Sequence, residues 1–273
     1  MNNTENLPPF LIMGIINVTP DSFSDGGRFL NAEKAYSRAY QLAEDGADLI
    51  DVGAESSRPG AAPVSLELEW RRLCPVLKRL RKNLPEDIKV SVDTYKPELM
   101  RRAAAEGVDF INNIRGLADM ETLQYLASLE HISYLAMHKK GEPKNMQSAP
   151  LEASEAMNEV SSFFLHAHKS LTACGFKQDR IWLDPGIGFG KSDPANLVLM
   201  QNTPKFAKKF NLAFGISRKS QIGRLLNLEN PADRDAPSKM AEIGLILAGA
   251  RLVRTHEVAS LVRFRNIFSK ACL

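Results

Sequence analysis

An α/β fold closed as a single (β/α)8 barrel is predicted by three features of the sequence. Eight short runs rich in Ile, Val, Leu and Phe recur along the chain, each about the length of a strand. A longer stretch with helix start or stop signals follows each run. The total of 273 residues suits one such barrel, as it would two small domains. Alternation of strand and helix implies a parallel sheet. An open doubly wound sheet is the alternative, but its G-x-G-x-x-G turn after the first strand is missing; Gly186, Gly188 and Gly190 come after the sixth.

In order, the predicted strands are Leu11–Asn17, Ala47–Gly53, Ile88–Asp93, Val108–Asn112, Ile132–His138, Arg180–Asp184, Leu212–Ser217 and Ala250–His256. The first predicted helix, Asn31–Asp45, opens on a capping residue and stops at Gly46. Ser65-Leu66-Glu67-Leu68-Glu69 begins the second in the manner of a capping box. Pro97 sits in the first turn of the third, which ends near Gly107. Asp119–Leu129, Ser154–Cys174, Asp193–Lys209, Ala236–Ala248 and Val258–Lys270 complete the set. One domain is expected, with its barrel core at about residues 11–270. Three strand-to-helix connections are long: about Val18–Leu30, Ala54–Val64 and Lys139–Ala153. All three lie at the C-terminal mouth of a barrel, and loops of such length are often functional.

Composition narrows the function classes. With 44% hydrophobic and 25% charged residues, the chain can build a core without disulfides or a structural metal. Cys74, Cys174 and Cys272 are far apart and form no CxxC pair, so they read as thiols of a reducing compartment. A net charge of +3 neither requires nor excludes a basic face. No nucleic-acid partner is expected, and a few cations around an anionic substrate fit that charge. The polar opening Met1-Asn2-Asn3-Thr4-Glu5-Asn6 lacks the pattern of a signal peptide. No apolar run reaches the roughly 18 residues of a membrane span. A cytoplasmic protein without a membrane partner is expected.

The strand ends carry the chemistry. Apolar runs terminate in Asn17, Asp93, Asn112, His138, Asp184 and Arg254 with His256; the seventh runs into Arg218 and Lys219, the second into Glu55, Ser56, Ser57 and Arg58. A single polar strand end is explained by a turn or a helix cap. Eight together point to the rim where barrel active sites collect. Asp93, Asn112 and Asp184 can read a heterocycle through its N–H and C=O groups. Arg58, Arg218, Lys219, Arg254 and His256 can neutralise phosphate or carboxylate. Asn17 offers a hard oxygen for Mg2+ shared with a phosphate. Pro20, Gly26 and Gly27 give the first loop defined turns and room to move.

Plainer readings exist for several of these residues. Asp21, Ser22, Ser24 and Asp25 also suit an ordinary turn, and Asp184-Pro185-Gly186 is a common turn sequence. Asp93 before Thr94 can cap the next helix. His138 is open between a rim contact and a buried hydrogen bond. His166 and His168 read as surface residues and His131 as structural. The basic runs Lys78–Lys82 and Lys208-Lys209 read as solvated helix ends.

The rim segments resemble dihydropteroate synthase, of the pterin-binding TIM-barrel family, from about residue 11 to 265. Asn17-Val18-Thr19-Pro20-Asp21-Ser22-Phe23-Ser24-Asp25-Gly26-Gly27 resembles that family's first-loop signature over eleven residues, a highly specific match. Gly53–Gly60 is similar to its second loop. Ser91–Thr94, Asp184–Gly190, Ser217–Ser220 and Arg254–His256 follow in the family's order. The resemblance implies that 6-hydroxymethyl-7,8-dihydropterin diphosphate loses pyrophosphate to the amine of p-aminobenzoate, giving 7,8-dihydropteroate for folate synthesis. It implies that Asp93, Asn112, Asp184 and Lys219 hold the pterin, with Asp93, Asp184 and Lys219 as the catalytic set. Ser57, Arg254 and His256 would bind the diphosphate, with Asn17 on Mg2+. Phe23, Asp25, Arg58, Pro59, Phe189 and Ser220 would form the p-aminobenzoate site and its mobile loops. Sulfonamides, which mimic p-aminobenzoate, would bind there as inhibitors.

Three departures from the family pattern stand out: Ser57 where Thr is usual, Asn113 where Asp is usual after Asn112, and Met137-His138-Lys139-Lys140-Gly141 in place of a more apolar segment. A methyltetrahydrofolate-dependent methyltransferase and a non-catalytic pterin-binding paralogue are the alternatives. The first needs neither the first-loop signature nor the Arg254/His256 pair. The second usually shows lost loop residues, and none is lost. A homodimer is expected from the resemblance. Apolar stripes at Ile243, Leu245, Leu247 and at Leu261, Phe264, Phe268 can form its interface or pack on the barrel.

Overall fold

Parallel pairing of β1 (Leu11–Asn17) with both β2 (Leu49–Gly53) and β8 (Leu252–Thr255) closes the sheet. Between them run β3 (Lys89–Asp93), β4 (Phe110–Asn113), β5 (Ser133–Met137), β6 (Ile181–Asp184) and β7 (Asn211–Phe214), in sequence order around the barrel. The predicted (β/α)8 barrel is therefore the fold. The computed structural model describes residues 10–19, 28–56, 61–141 and 148–271.

The helices are α1 (Arg28–Glu44), α2 (Leu66–Asn83), α3 (Pro97–Ala105), α4 (Met120–Ser128), α5 (Ala153–Ala173), α6 (Asp193–Gln201), α7 (Thr203–Ala207), α8 (Ser220–Leu226), α9 (Asp235–Leu247) and α10 (Ala259–Ala271). Local chemistry sets several of their starts. Asp119 and Ser192 accept the amides of Thr122 and Ala195, at 2.9 and 3.3 Å, as N-caps of α4 and α6. Ser65 caps α2 through the Leu68 amide at 3.4 Å. The reciprocal half of the predicted capping box is absent, because the N3 position holds Leu68, and Glu69 one residue further on is turned inward onto Lys96. The predicted helix Asp193–Lys209 is two helices. It breaks at Asn202, whose φ and ψ of −94° and 11° are not helical, just before Pro204 at the start of α7. Helix α8 was not expected, and α1 begins three residues before the predicted Asn31.

Two apolar clusters hold the barrel. The larger lies between strands and helices and contains Ile12, Ile50, Val52, Leu99 and Phe164. The smaller fills the barrel itself with Met13, Leu49, Phe110, Leu135, Met137, Trp182, Ala213 and Leu252. Side chains alternate along a strand, so the residue two positions after each inner apolar side chain also faces the barrel axis, one layer nearer the C-terminal mouth. That relation puts Asp51 above Leu49, Asn112 above Phe110, Asp184 above Trp182 and Arg254 above Leu252. The apolar plug is thus the floor beneath a polar layer. Leu245 and Leu261 are buried in the outer core and Phe264 packs against it, while Leu247 is exposed. Most of the predicted interface stripes therefore serve the barrel.

Candidate active site

Strand register assembles the upper layer. Asn17 lies beside Gly53, Gly53 beside Asp93, and Asp93 beside Asn112. Gly53 has no side chain to separate its neighbours. A Cβ there would lie 3.6 Å from Asp93 Oδ2 and 3.7 Å from Asn17 Oδ1. Asn17 thus holds its carboxamide oxygen near the Asp93 carboxylate at the mouth.

One layer down, the buried Asp51 carboxylate organises the site. It accepts from Ser91 Oγ at 2.6 Å, Asn112 Nδ2 at 3.1 Å and Arg254 Nε at 2.5 Å. Arg254 reaches up through its other arm to Asp93 Oδ2 at 2.8 Å. Asp93 therefore does not cap the next helix. Burial, opposed by Arg254 and reinforced by Asp51, raises its carboxyl to about 7. Asp51 was not among the predicted site residues because it lies mid-strand. The two-residue alternation Leu49, Asp51, Gly53 was the signal that marks it as inward-facing.

Across the mouth, Asp184 makes the predicted turn and also lies on the rim. Its Oδ1 accepts the Gly186 amide at 2.6 Å, fixing the turn, while its carboxyl stays buried on the rim. Burial raises its pKa, against the pull of Lys219. Gly186 and Gly190 adopt φ of +65°, and a Cβ on either would come within 1.8 Å of His138 O or 2.0 Å of Lys140 O. The loop is pressed onto the end of β5 at both points. Buried Lys191 pins it there, donating to the carbonyls of His138, Gly186 and Phe189 at 3.3, 2.9 and 3.1 Å. Lys219 donates to Ile187 O and stands 4.5 Å above the Phe189 ring. Burial lowers Lys219 to about 8, with Asp184 opposing.

The remaining predicted cations are less available. Arg218, at φ 58°, forms a two-pronged pair with Asp235 at 2.6 and 2.8 Å. His256 is half-buried, and burial with Arg254 and Arg218 nearby lowers it to about 3, so the ring is neutral at physiological pH. Ser220 is exposed as the first residue of α8 and accepts from Arg224 at 3.2 Å. His138 resolves to a buried ring, 3.4 Å from Glu159 and edge-on to Phe163. His131 is exposed, and His168 is half-buried against Phe210 rather than on the open surface. Asn113, one of the three departures, is fully buried and donates to Tyr134 Oη at 2.8 Å, away from the mouth. Phe23, Asp25, Ser57, Arg58 and Pro59 lie outside the described residues.

The structure therefore brings Asn17, Asp93, Asn112, Asp184, Lys219, Arg254 and His256 to one mouth, with Phe189 beside Lys219. A buried wall of alternating donors and acceptors can read a flat, polar heterocycle, and the β8 end can meet an anion. This combination belongs to a chain of the pterin-binding enzyme family, whose model, described as "Pterin binding enzyme", matches residues 13–256. Within that family the similarity is to dihydropteroate synthases. The Escherichia coli K12 dihydropteroate synthase is 39% identical over 258 residues, covering 94% of this chain and 89% of that protein. The Xanthomonas albilineans dihydropteroate synthase solved with 4-aminobenzoic acid superposes with a TM-score of 0.88 at 38% identity, covering 97% of this chain and 94% of the other. The Yersinia pestis dihydropteroate synthase solved with a sulfonamide drug gives a TM-score of 0.87 at 37% identity, covering 97% and 95%.

Proposed function

We infer that this chain catalyses the dihydropteroate synthase reaction as a single pterin-binding barrel. The observation that carries this reading is the convergence of Asp93, Asn112, Asp184 and Lys219 with Arg254 and His256 in one buried mouth. The carboxyls and the carboxamide hold the pterin ring, together with Lys219 beside Asp184. The C–O bond from the pterin methylene to the diphosphate breaks with its electron pair leaving on pyrophosphate, the amine nitrogen of p-aminobenzoate bonds to that carbon, and the amine gives up one proton to the departing pyrophosphate or to water. Half-buried Asp93 and buried Asp184 favour the positive charge that develops on the pterin as pyrophosphate departs. A neutral aromatic amine needs no strong base, so a dedicated general base is not required.

The donor set suits Mg2+. Asn17 supplies one hard oxygen, and no cluster of three His, Cys, Asp or Glu side chains exists among the described residues to cage a metal. That fits an ion held largely by substrate oxygens. Arg254, Arg218 and Lys219 are each already close to a carboxylate, so the diphosphate retains negative charge for a divalent ion to offset. When bound, Mg2+ supplies charge neutralisation to the leaving pyrophosphate. Phe189, Ser220, Phe23, Asp25, Arg58 and Pro59 form the p-aminobenzoate site, Ser57 adds a hydroxyl to the diphosphate site, and sulfonamides compete for the p-aminobenzoate position. The protein works in the cytoplasm as a homodimer, for which exposed Leu225, Leu226, Met240 and Leu247 on α8 and α9 offer an apolar face.

A steady-state assay of pyrophosphate release tests the reading. Turnover should require the pterin diphosphate, p-aminobenzoate and Mg2+ together, and a sulfonamide should compete with p-aminobenzoate. Purified folded protein that turns over nothing with all three present refutes it. Light scattering checks the dimer.

A further inference from the structure

Behind the β8 end of the mouth lies a buried polar chain with no place in the reaction as described. Lys239 and Glu242 on α9 are buried and paired at 2.6 Å. The Lys239 ammonium also donates to Thr255 Oγ1. Ser217, three residues past the end of β7, lies between Thr255 and His256, 3.5 Å from Thr255 Oγ1 and 3.0 Å from His256 Nδ1. A buried ion pair adds little net stability, so its placement against the His256 support invites another explanation.

We propose that Lys239, acting through Thr255 and Ser217, holds His256 as its Nε2–H tautomer, so that the ring offers a neutral N–H donor to the diphosphate. The inference rests on the synthase reading above, and its core is a count of lone pairs. Thr255 Oγ1 has two acceptor positions. One takes the Lys239 ammonium and the other the Glu257 amide at 3.4 Å. The Thr255 proton then goes to Glu242 Oε2 or to Glu257 O, each at 3.3 Å, or to Ser217 Oγ at 3.5 Å. Ser217 Oγ accepts the His256 amide at 3.2 Å. With both positions on Thr255 filled, the acceptor left within reach of the Ser217 proton among the described residues is His256 Nδ1. A ring that accepts at Nδ1 and is uncharged carries its proton on Nε2. Lys239 and Ser217 are thus positioning residues. The protonated nitrogen is a donor to phosphate oxygen, whereas the other tautomer would turn a lone pair towards it.

Removing the Lys239 ammonium opens a lone pair on Thr255. Ser217 can then donate there and accept from a protonated Nδ1, so the ring loses its preference. Removing the Thr255 hydroxyl as well takes away that second acceptor and restores the original tautomer. Long-range proton–nitrogen NMR on 15N-histidine-labelled full-length protein reads the tautomer directly, with His256 assigned by its loss in His256→Gln. Between pH 6 and 8 the wild type should show a neutral ring protonated at Nε2. Lys239→Met should show a mixture and raise the KM for pterin diphosphate ~10-fold with kcat within about twofold, the scale of one charge-assisted hydrogen bond. Lys239→Met/Thr255→Val should return to the wild-type ring pattern, and Thr255→Val alone should keep it. If Lys239→Met does not fold, Lys239→Met/Glu242→Leu removes the whole pair and must show the same mixture. An Nδ1–H or charged ring in the wild type overturns the proposal, as does an unchanged His256 in the folded Lys239 variant. Because the NMR measurement needs no turnover, an inactive wild type with the Nε2–H pattern would refute the synthase reading and leave the tautomer assignment standing.

Discussion

Asp48 and Asp51 stand three residues apart on the same strand segment, and each carboxylate contacts an arginine. Asp48, at the lower end of the barrel, is about one-third exposed. It accepts from Arg265 at 2.8 Å and from the Ile12 amide at 2.8 Å, tying α10 to the start of β1. Asp109 repeats the device with Arg81 at 2.9 Å and the Val90 amide at 2.8 Å. Asp51, at the upper end, is fully buried beneath the mouth and meets Arg254, Asn112 and Ser91. Residue type does not separate the two ends; burial does. A half-wet ion pair is an exchangeable staple of modest worth. A dry one fixes neighbouring groups and shifts their proton affinities, as it does for Asp93.

The largest expected effect at the upper end is on turnover. Lys219→Ala should lower kcat/KM by about 10³-fold, the scale of removing a principal electrostatic group, with thermal stability nearly unchanged. A variant within tenfold of wild type would remove Lys219 from the machinery. Asp51→Asn keeps the shape and removes the charge that orients Arg254. It should cost about 10²-fold in kcat/KM without loss of the folded circular-dichroism spectrum.

At the lower end the balance should invert. Arg265→Ala should lower stability by about 1 kcal/mol or less in urea titration and leave kcat/KM within about twofold. A matching loss of activity would show that the two ends are coupled and break the contrast. The smallest effect concerns pH. Asp93 is raised from 3.8 to about 7, so its contribution to stability is fully present below about pH 3.8 and is lost as pH rises through about 7. Asp93→Asn should therefore compare more favourably with wild type at pH 8 than at pH 5. Equal differences at both pH values would place the Asp93 carboxyl in its ordinary range.

The barrel was legible because its two periodicities are strong. Apolar runs gave all eight strands, and polar residues closing them gave the rim. The helices were less regular where one residue decides. Asn202 splits a stretch whose apolar pattern runs on, since a break in φ and ψ leaves no mark on hydrophobicity. Helix α8 is only Ser220–Leu226, too short for a periodic signal against its neighbours. In the site, strand-end residues were found and Asp51 was not, because a rim search stops one layer too high. Lys191 was hidden for another reason. Its role rests on three carbonyls from two loops, a relation between segments that no local pattern encodes. Arg218 shows the converse: β7 ends at Phe214, so Arg218 sits in the turn before α8 rather than at a strand end, and Asp235, seventeen residues on, already holds its charge.

Lys191 also decides what one wall of the mouth requires from solution. Its buried ammonium, lowered by burial to about 7, gathers three carbonyl oxygens much as a coordinated cation would. The loop from Asp184 to Gly190 thus carries its counter-ion on its own chain. Chelators or dilution cannot strip that charge away, so this wall of the mouth needs no dissolved ion to stay assembled while Lys191 keeps its proton.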